Sequence, residues 1–452
     1  MATSVNIICK RTVVSTKAIE PGKYLPLSVL DRFMEKNHIR MVYYYQSSEE
    51  SELGKLTKKL RETLSEMLTH FPIVTGRLLR DDMGHWKIKC NDAGVRTIEA
   101  KAKGSVEEWL RSVDREKELK LVYWEDMHQK PYYWSTFYVQ LTEFEEGGLA
   151  IGLSCIHLLA DAICATNFMK AWADISLGNK MVSPPIFHPL PPQNTRNKKP
   201  NNSYMGLISH YKSSIEKPIS IKESKYTTIS MGFSHHMVQA CMSMAQINGS
   251  SSPSPTSTPF EALAGLFWVA LSKIKGIQNG LVDMSICLNS RKMMGLDQGF
   301  FGNSMLYNKV HLEENFNLDL YENKFPQATK AIRDTVAKIN NEEIMNLIEW
   351  LENNDINSST MMNGHDFVFT SLEDVDPSAI FQDMLKPIHV SYYIEPVFGE
   401  GHVLILPIPL EEGPLGRVVM VTLEEEEAIK LCEDEFISQF SPNILMKCVN
   451  KY

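Results

Sequence analysis

Leu53, Leu56, Leu60, Leu64 and Leu68 recur at intervals of three and four, with Lys, Arg and Glu between them. That spacing puts one apolar stripe along a helix. The helix is expected to stop near Phe71-Pro72, because the residue before a proline leaves the helical region. Short strands are expected at Trp86 to Cys90 and Val95 to Ala100, parted by the turn residues Asn91-Asp92-Ala93-Gly94. From Phe137 to Thr142, Phe137, Val139 and Leu141 alternate with more polar residues until Gly147-Gly148 breaks the pattern. Leu149 to Ile156 is apolar almost without alternation, as in a strand buried on both faces. After Asp161 the period becomes helical through about Ile175. Further on, Met237 to Ile247 and Pro259 to Ile274 read as helices. His389 to Tyr393, Val403 to Pro407 and Arg417 to Val421 read as strands, and a last helix opens near Glu424. Both halves therefore mix α and β.

Between them, Ser183 to Ser203 holds Pro184, Pro185, Pro189, Pro191, Pro192 and Pro200. Prolines remove backbone donors and forbid helix, so this stretch is a crossover. The expected division is an N-terminal domain over 1–183, a linker over 184–204 and a C-terminal domain over 205–452. The Ser/Pro-rich tract Asn248 to Thr258 is expected to be a surface loop.

The chain has 452 residues, more than one ordinary core accommodates. Its 43% hydrophobic and 22% charged residues are usual for a folded protein. A net charge of -9 argues against a nucleic-acid or anionic-membrane binder. The one basic run, Arg196-Asn197-Lys198-Lys199, falls in the proline-rich stretch. Eight cysteines are scattered with no C-x-x-C pair, so neither a zinc site nor a redox motif is signalled. No metal and no bound cofactor is expected. The first residues lack an apolar signal region, and no run reaches the about 18 apolar residues of a membrane span. The expected location is cytoplasmic, with attachment to an organelle surface left open.

The candidate chemistry lies where the buried strand runs out, in Ser154-Cys155-Ile156-His157-Leu158-Leu159-Ala160-Asp161. A strand end is rigid, and the loop beyond it can face a ligand. An imidazole of ordinary pKa near 6.5 can take a proton from a hydroxyl and return it to a departing thiolate. A carboxylate four residues on can fix a tautomer or brace the backbone. With 13 histidines, one H-x-x-x-D arises by chance about as often as not. A core histidine satisfied by backbone therefore stands beside the functional one. Gly152-Leu153-Ser154-Cys155-Ile156 lacks the second glycine of a nucleophile elbow. No Walker loop, dinucleotide fingerprint or H-E-x-x-H occurs. The acidic run Glu424 to Glu427 suits the positive end of a helix.

Several blocks, in order, resemble the plant BAHD acyltransferases nearly end to end. They are Leu27-Ser28-Val29-Leu30-Asp31-Arg32, Phe71-Pro72-Ile73-Val74-Thr75-Gly76-Arg77-Leu78, His157 to Asp161, Thr258 to Leu263 with Trp268, Phe301-Gly302-Asn303, and Gly401 to Pro407 with the strand from Arg417. The resemblance implies two similar-sized α/β domains of chloramphenicol-acetyltransferase type, with a channel at their interface. It implies acyl-CoA as co-substrate, a small-molecule acceptor and a monomer. By the same resemblance His157 is the general base for attack on the thioester, with no acyl-enzyme. Asp161 is structural and turns towards an arginine of the second domain, at Arg291. The channel residues that choose the acceptor are not placed by the sequence. The working expectation is a short donor such as acetyl-CoA and an apolar acceptor such as a terpenoid alcohol.

One block departs. Where the family carries D-F-G-W-G-K-P, this chain has Phe381-Gln382-Asp383-Met384-Leu385-Lys386-Pro387, and Leu372 stands where a tryptophan is usual. That loss with the histidine kept is similar to the eceriferum/glossy branch. For that branch the resemblance implies an alternative: a non-catalytic accessory of very-long-chain fatty-acid elongation for cuticular wax, partnered by an elongase condensing enzyme at the endoplasmic reticulum.

Overall fold

The structure is a computed structural model, and it describes residues 4–17, 22–46, 54–191, 206–216, 225–246, 256–312, 321–354, 366–381, 386–397, 399–408 and 413–446. Most of the crossover at 184–204, with its basic run, lies outside the described residues, as does most of the Ser/Pro tract at 248–258.

Sixteen strands run through the described chain: β1 (Val5–Val13), β2 (Tyr24–Pro26), β3 (His38–Tyr45), β4 (Arg77–Arg80), β5 (Trp86–Lys89), β6 (Val95–Ala102), β7 (Phe137–Phe144), β8 (Leu149–Ile156), β9 (Tyr226–Phe233), β10 (Met284–Asn289), β11 (Met305–Lys309), β12 (Phe367–Ser371), β13 (His389–Glu395), β14 (His402–Pro407), β15 (Arg417–Glu424) and β16 (Asn443–Met446). They make a six-stranded sheet in the order β1-β6-β7-β8-β3-β13, a seven-stranded sheet in the order β11-β10-β12-β14-β15-β9-β16, and a small sheet β2-β5-β4. The first large sheet is built from the N-terminal half with one exception. Its edge β13 comes from the C-terminal half and pairs antiparallel to β3, from His389 opposite Tyr44 to Glu395 opposite His38.

A buried carboxylate bridges the two strands of that exchange. Glu118 is fully buried. It accepts from Tyr44 Oη of β3 and Ser391 Oγ of β13, each at 2.8 Å, and from Tyr393 Oη of β13. Burial pushes the Glu118 carboxyl above its ordinary value, and those hydroxyl donors oppose the shift. At the strand end Arg115 reaches Glu395 at 2.6 Å. A buried acid must be hydrogen-bonded to be tolerated, so Glu118 ties together strands almost 350 positions apart.

The leucine stripe forms the helix Lys55–Leu68, which ends one turn before the proline. Its Leu60, Leu64 and Leu68 are buried. Trp172, from the helix Ala162–Ser176, donates its Nε1 proton to Leu60 O and Thr63 Oγ1, each at 3.1 Å. The strand Leu149–Ile156 is buried at every position. Gly152 shows why that strand needs a residue without a side chain: a Cβ there falls 2.0 Å from Leu121 O. Gly152→Ala is therefore expected to cost about 1–3 kcal/mol or more through overpacking. A urea midpoint unchanged from wild type would show that the 119–121 turn gives way freely.

Candidate functional site

His157 is the first residue past β8, and Asp161 is the N-cap of the helix Ala162–Ser176. The backbone between them is held at both ends. His157 N donates to Asn37 O at 2.9 Å, and His157 O accepts from Asn303 Nδ2 at 2.7 Å. Asn303 is held in turn by Asp31, whose Oδ1 accepts from Asn303 N and from Asn303 Nδ2, each at 2.8 Å. Asp31 belongs to a capping box with Ser28. Three of the sequence blocks, around Asp31, His157 and Asn303, thus meet at one buried point.

Asp161 is fully buried. Its Oδ1 accepts from Cys164 N at 3.0 Å, the helix cap, and its Oδ2 accepts from Ser304 N at 3.2 Å. Arg291, which follows β10, closes a two-pronged pair on it: Nη1 to Oδ2 at 2.8 Å and Nη2 to Oδ1 at 3.0 Å. Arg291 Nη2 also donates to Gly302 O at 2.8 Å. Burial alone would raise the Asp161 carboxyl. The Arg291 charge and the donors outweigh it and hold the acid below its ordinary value. Burial would also lower the Arg291 guanidinium, and the Asp161 charge turns that into a rise. The expected meeting of Asp161 with Arg291 is present in the geometry, and it joins the two halves of the chain.

The His157 ring is 1% exposed, and its Nδ1 has no hydrogen-bond partner. Burial lowers its pKa, while the Asp161 charge and the Asn303 side chain push the other way; the net effect is a ring below 6.5. It is neutral at neutral pH, the state a base needs.

Two further histidines, the half-buried His38 and the buried His402, are influenced by this ring, and the sequence did not single them out. His38 opens β3, and burial pushes it down to about 2, helped by the Arg40 and His157 charges. His402 opens β14 and sits 2.8 Å from Thr370 Oγ1, and burial pushes it down to about 3. No local pattern marks either residue, since each lies in an ordinary apolar strand. His389, in β13, is pushed down to about 4 by burial. In the unfolded chain each of these rings binds a proton near 6.5. The stability that comes from keeping them neutral is whole above pH 6.5 and falls as pH drops towards 4 and below, by about 1.4 kcal/mol per pH unit for each ring. Urea midpoints measured from pH 8 to pH 4.5 are expected to hold steady and then fall below 6.5.

Beside this point lies a cavity of about 700 Å³ whose wall includes Asn37, His38, Trp124, Met127 and Trp134. Leu372 is fully buried, its N–H bonded to Ile405 O at 2.8 Å. Residues 382–385 of the altered block lie outside the described residues. No group of His, Cys, Asp and Glu among the described residues could hold a metal ion. No helix among them is long and apolar enough to cross a membrane.

Comparison with known proteins fits this geometry. The model of the Transferase family matches residues 3–436. The chain is 25% identical over 433 residues to protein ECERIFERUM 26-like of Arabidopsis thaliana, covering 93% of this chain and 92% of that one. It is 23% identical over 449 residues to shikimate O-hydroxycinnamoyltransferase of Nicotiana tabacum, covering 95% and 98%. Among solved structures, F. sporotrichioides TRI101 complexed with coenzyme A and T-2 superposes with a TM-score of 0.70 at 14% identity, covering 94% of this chain and 100% of that one. At that identity the likeness is one of fold.

Proposed function

This chain belongs to the Transferase family, the BAHD acyltransferases, and from that premise we propose that it moves an acyl group from acyl-CoA to a hydroxyl of a small molecule, with His157 as the general base. The observation that carries the reading is the state of His157. It is a neutral imidazole at a rigid strand end, held by main-chain bonds to Asn37 and Asn303. The neighbouring acid is bonded by Arg291, Cys164 N and Ser304 N rather than by the ring.

The chemistry follows from those parts. His157 takes the proton of the acceptor hydroxyl as its oxygen attacks the thioester carbonyl. The tetrahedral intermediate collapses, the carbon–sulfur bond breaks, and the CoA thiolate leaves with the proton that His157 carried. The products are an ester and free CoA, and the base is regenerated without a covalent enzyme intermediate. Asp161 and Arg291 act through position: they fix the turn that carries the ring and join it to the C-terminal half. A small acyl group such as acetyl is the first donor to try. The test is release of free CoA from a panel of acyl-CoAs with a mixed pool of alcohols. Release that requires both donor and acceptor supports the reading. No release from folded protein with any pairing sinks it.

A second reading is favoured by the covered ring, by Leu372 in place of tryptophan and by the likeness to protein ECERIFERUM 26-like. Under it the fold serves as a non-catalytic partner of a fatty-acid elongase condensing enzyme, and its binding survives loss of His157. Failure to associate with any condensing enzyme in a pull-down counts against this reading.

A further inference from the structure

We infer that the outer face of the small sheet β2-β5-β4, together with the turn Pro131–Tyr133, is a docking surface for an anionic lipid bilayer.

The aromatic rings come first. Among the described residues, Tyr24, Tyr132 and Tyr133 are the exposed members of the Phe, Tyr and Trp set, at 46%, 43% and 69%. All three lie together. Tyr132 and Tyr133 meet edge-on with centroids 5.8 Å apart and planes at 84°. Tyr24 stands opposite Lys89 in the sheet, and Lys89 Nζ lies 5.9 Å from the centre of the Tyr132 ring. Lys87 Nζ lies 5.4 Å from the centre of the Tyr24 ring. A strand sends alternate side chains to opposite faces. Trp86 and Ile88 of β5 enter the core and are buried, so Lys87 and Lys89 share the outward face with Tyr24.

Charge sets the sign of the partner. The net charge of -9 is an average over the whole chain, and the fold sorts it unevenly. Exposed Lys23 precedes Tyr24, and exposed Lys130 leads into the tyrosine turn. Among the described residues, none of Lys23, Lys87, Lys89 and Lys130 is paired with a carboxylate. Arg77, opposite Lys89 on β4, bonds the carbonyl oxygens of Gly76, Ala93 and Gly94. The surrounding acids are committed to local turns. Asp81 accepts from Met83 N and His85 N, Asp92 from Ser15 N and Oγ, and Asp126 from His128 N. Asp82 stands in the hairpin tip, at the other end of β5 from Lys89. Lysines on an edge strand would be explained as protection against stray pairing. β5 is the central strand of its sheet, so that explanation fails here.

The mixture chooses the occupant. Tyrosine is enriched where membrane meets water, with its ring at headgroup level and its hydroxyl in water. Unpaired lysines beside it are drawn to phosphate-bearing anionic lipids. A peptide would need a groove or a long free strand edge. The edge strands here have only three and four residues. The buried centre of a protein interface is depleted in lysine, whereas a charged planar bilayer needs no matching shape.

The test is cosedimentation of the full chain with vesicles of phosphatidylcholine alone and of phosphatidylcholine mixed with phosphatidylserine. Binding is expected with the mixed vesicles alone and should weaken as salt rises. Lys87→Gln with Lys89→Gln should lower the partition about 25-fold, about fivefold for each charge lost. Tyr132→Ser with Tyr133→Ser should lower it as well, and should still do so at high salt, where charge is screened. Lys212→Gln with Lys430→Gln removes the same charge from exposed positions in the C-terminal half and should leave the partition unchanged. Urea midpoints show that each variant is folded. Equal binding to both kinds of vesicle overturns the inference, as does a folded Lys87/Lys89 or Tyr132/Tyr133 variant that binds like wild type. So does a Lys212/Lys430 variant that loses as much as the Lys87/Lys89 one. A protein that ignores vesicles but binds polyglutamate through Lys87 and Lys89 would make this face a site for an acidic polypeptide instead.

Discussion

Replacing His157 by alanine is expected to lower CoA release by about 10²–10⁴-fold, the usual worth of a general base, while leaving the protein folded. The second half of that expectation comes from the surroundings of the ring. Its Nδ1 has no partner, so truncation orphans nothing on that side, and the two bonds at residue 157 are made by its main chain. The loss should therefore appear in turnover rather than in the unfolding midpoint. A pH profile adds a reading that a purely structural role would not move. Because the folded environment holds the imidazole below 6.5, the acid limb of kcat/KM should lie below 6.5, with the rate flat above it. A folded His157→Ala protein that keeps wild-type turnover, or a limb above 6.5, would remove His157 from the mechanism.

Arg291→Ala is expected to be the most destabilising single change near the site. It leaves Asp161, with no solvent exposure, as an uncompensated buried carboxylate, a situation that costs about 3–5 kcal/mol. It also strips a donor from Gly302 O, next to the asparagine that holds His157 O. Arg291→Lys should recover only part of the loss, since a point charge cannot make the two-pronged pair. The double replacement Asp161→Ala with Arg291→Ala should cost less than the two singles added together, because removing both charges leaves neither unpaired. The measurement is a set of urea midpoints for wild type, Arg291→Ala, Arg291→Lys, Asp161→Ala and the double replacement, with CoA release measured on those that fold. Additive losses, or an Arg291→Ala protein as stable as wild type, would show that the pair is dispensable to the fold.

Much of the secondary structure could be read along the chain. The strand Leu149–Ile156 and the helix Pro259–Ile274 lie where the apolar patterns put them. Both are long runs whose own residues carry the period and the cap, Thr258 with Glu261 in the case of the helix. Other elements agree in kind and differ at their ends. β6 runs on to Ala102, the helix expected from Met237 starts at His235, and the last long helix starts at Glu425. Terminal turns depend on what packs against them, which local spacing does not contain. At the site, His157 with Asp161 was visible as a motif, and Arg291 as the match to an arginine in related chains. Asp31 stood inside a recognised block with no sign of its partner. His38 and His402 carried no signal at all.

What this sequence determined by itself is what adjacent residues can settle: the apolar periods, the caps and turns, the proline-rich break, and a histidine at the end of a buried strand. Only the tertiary structure decided the pairings between distant residues. It set β13 against β3 across the buried Glu118, brought Asn303 to both Asp31 and the His157 carbonyl, and stacked His38 on Trp124. The reason is physical. A period of 2 or 3.6 is written by neighbours and needs no partner. A buried carboxylate, an unpartnered imidazole or a strand edge acquires its meaning from the groups that burial brings to it, and those lie hundreds of positions away.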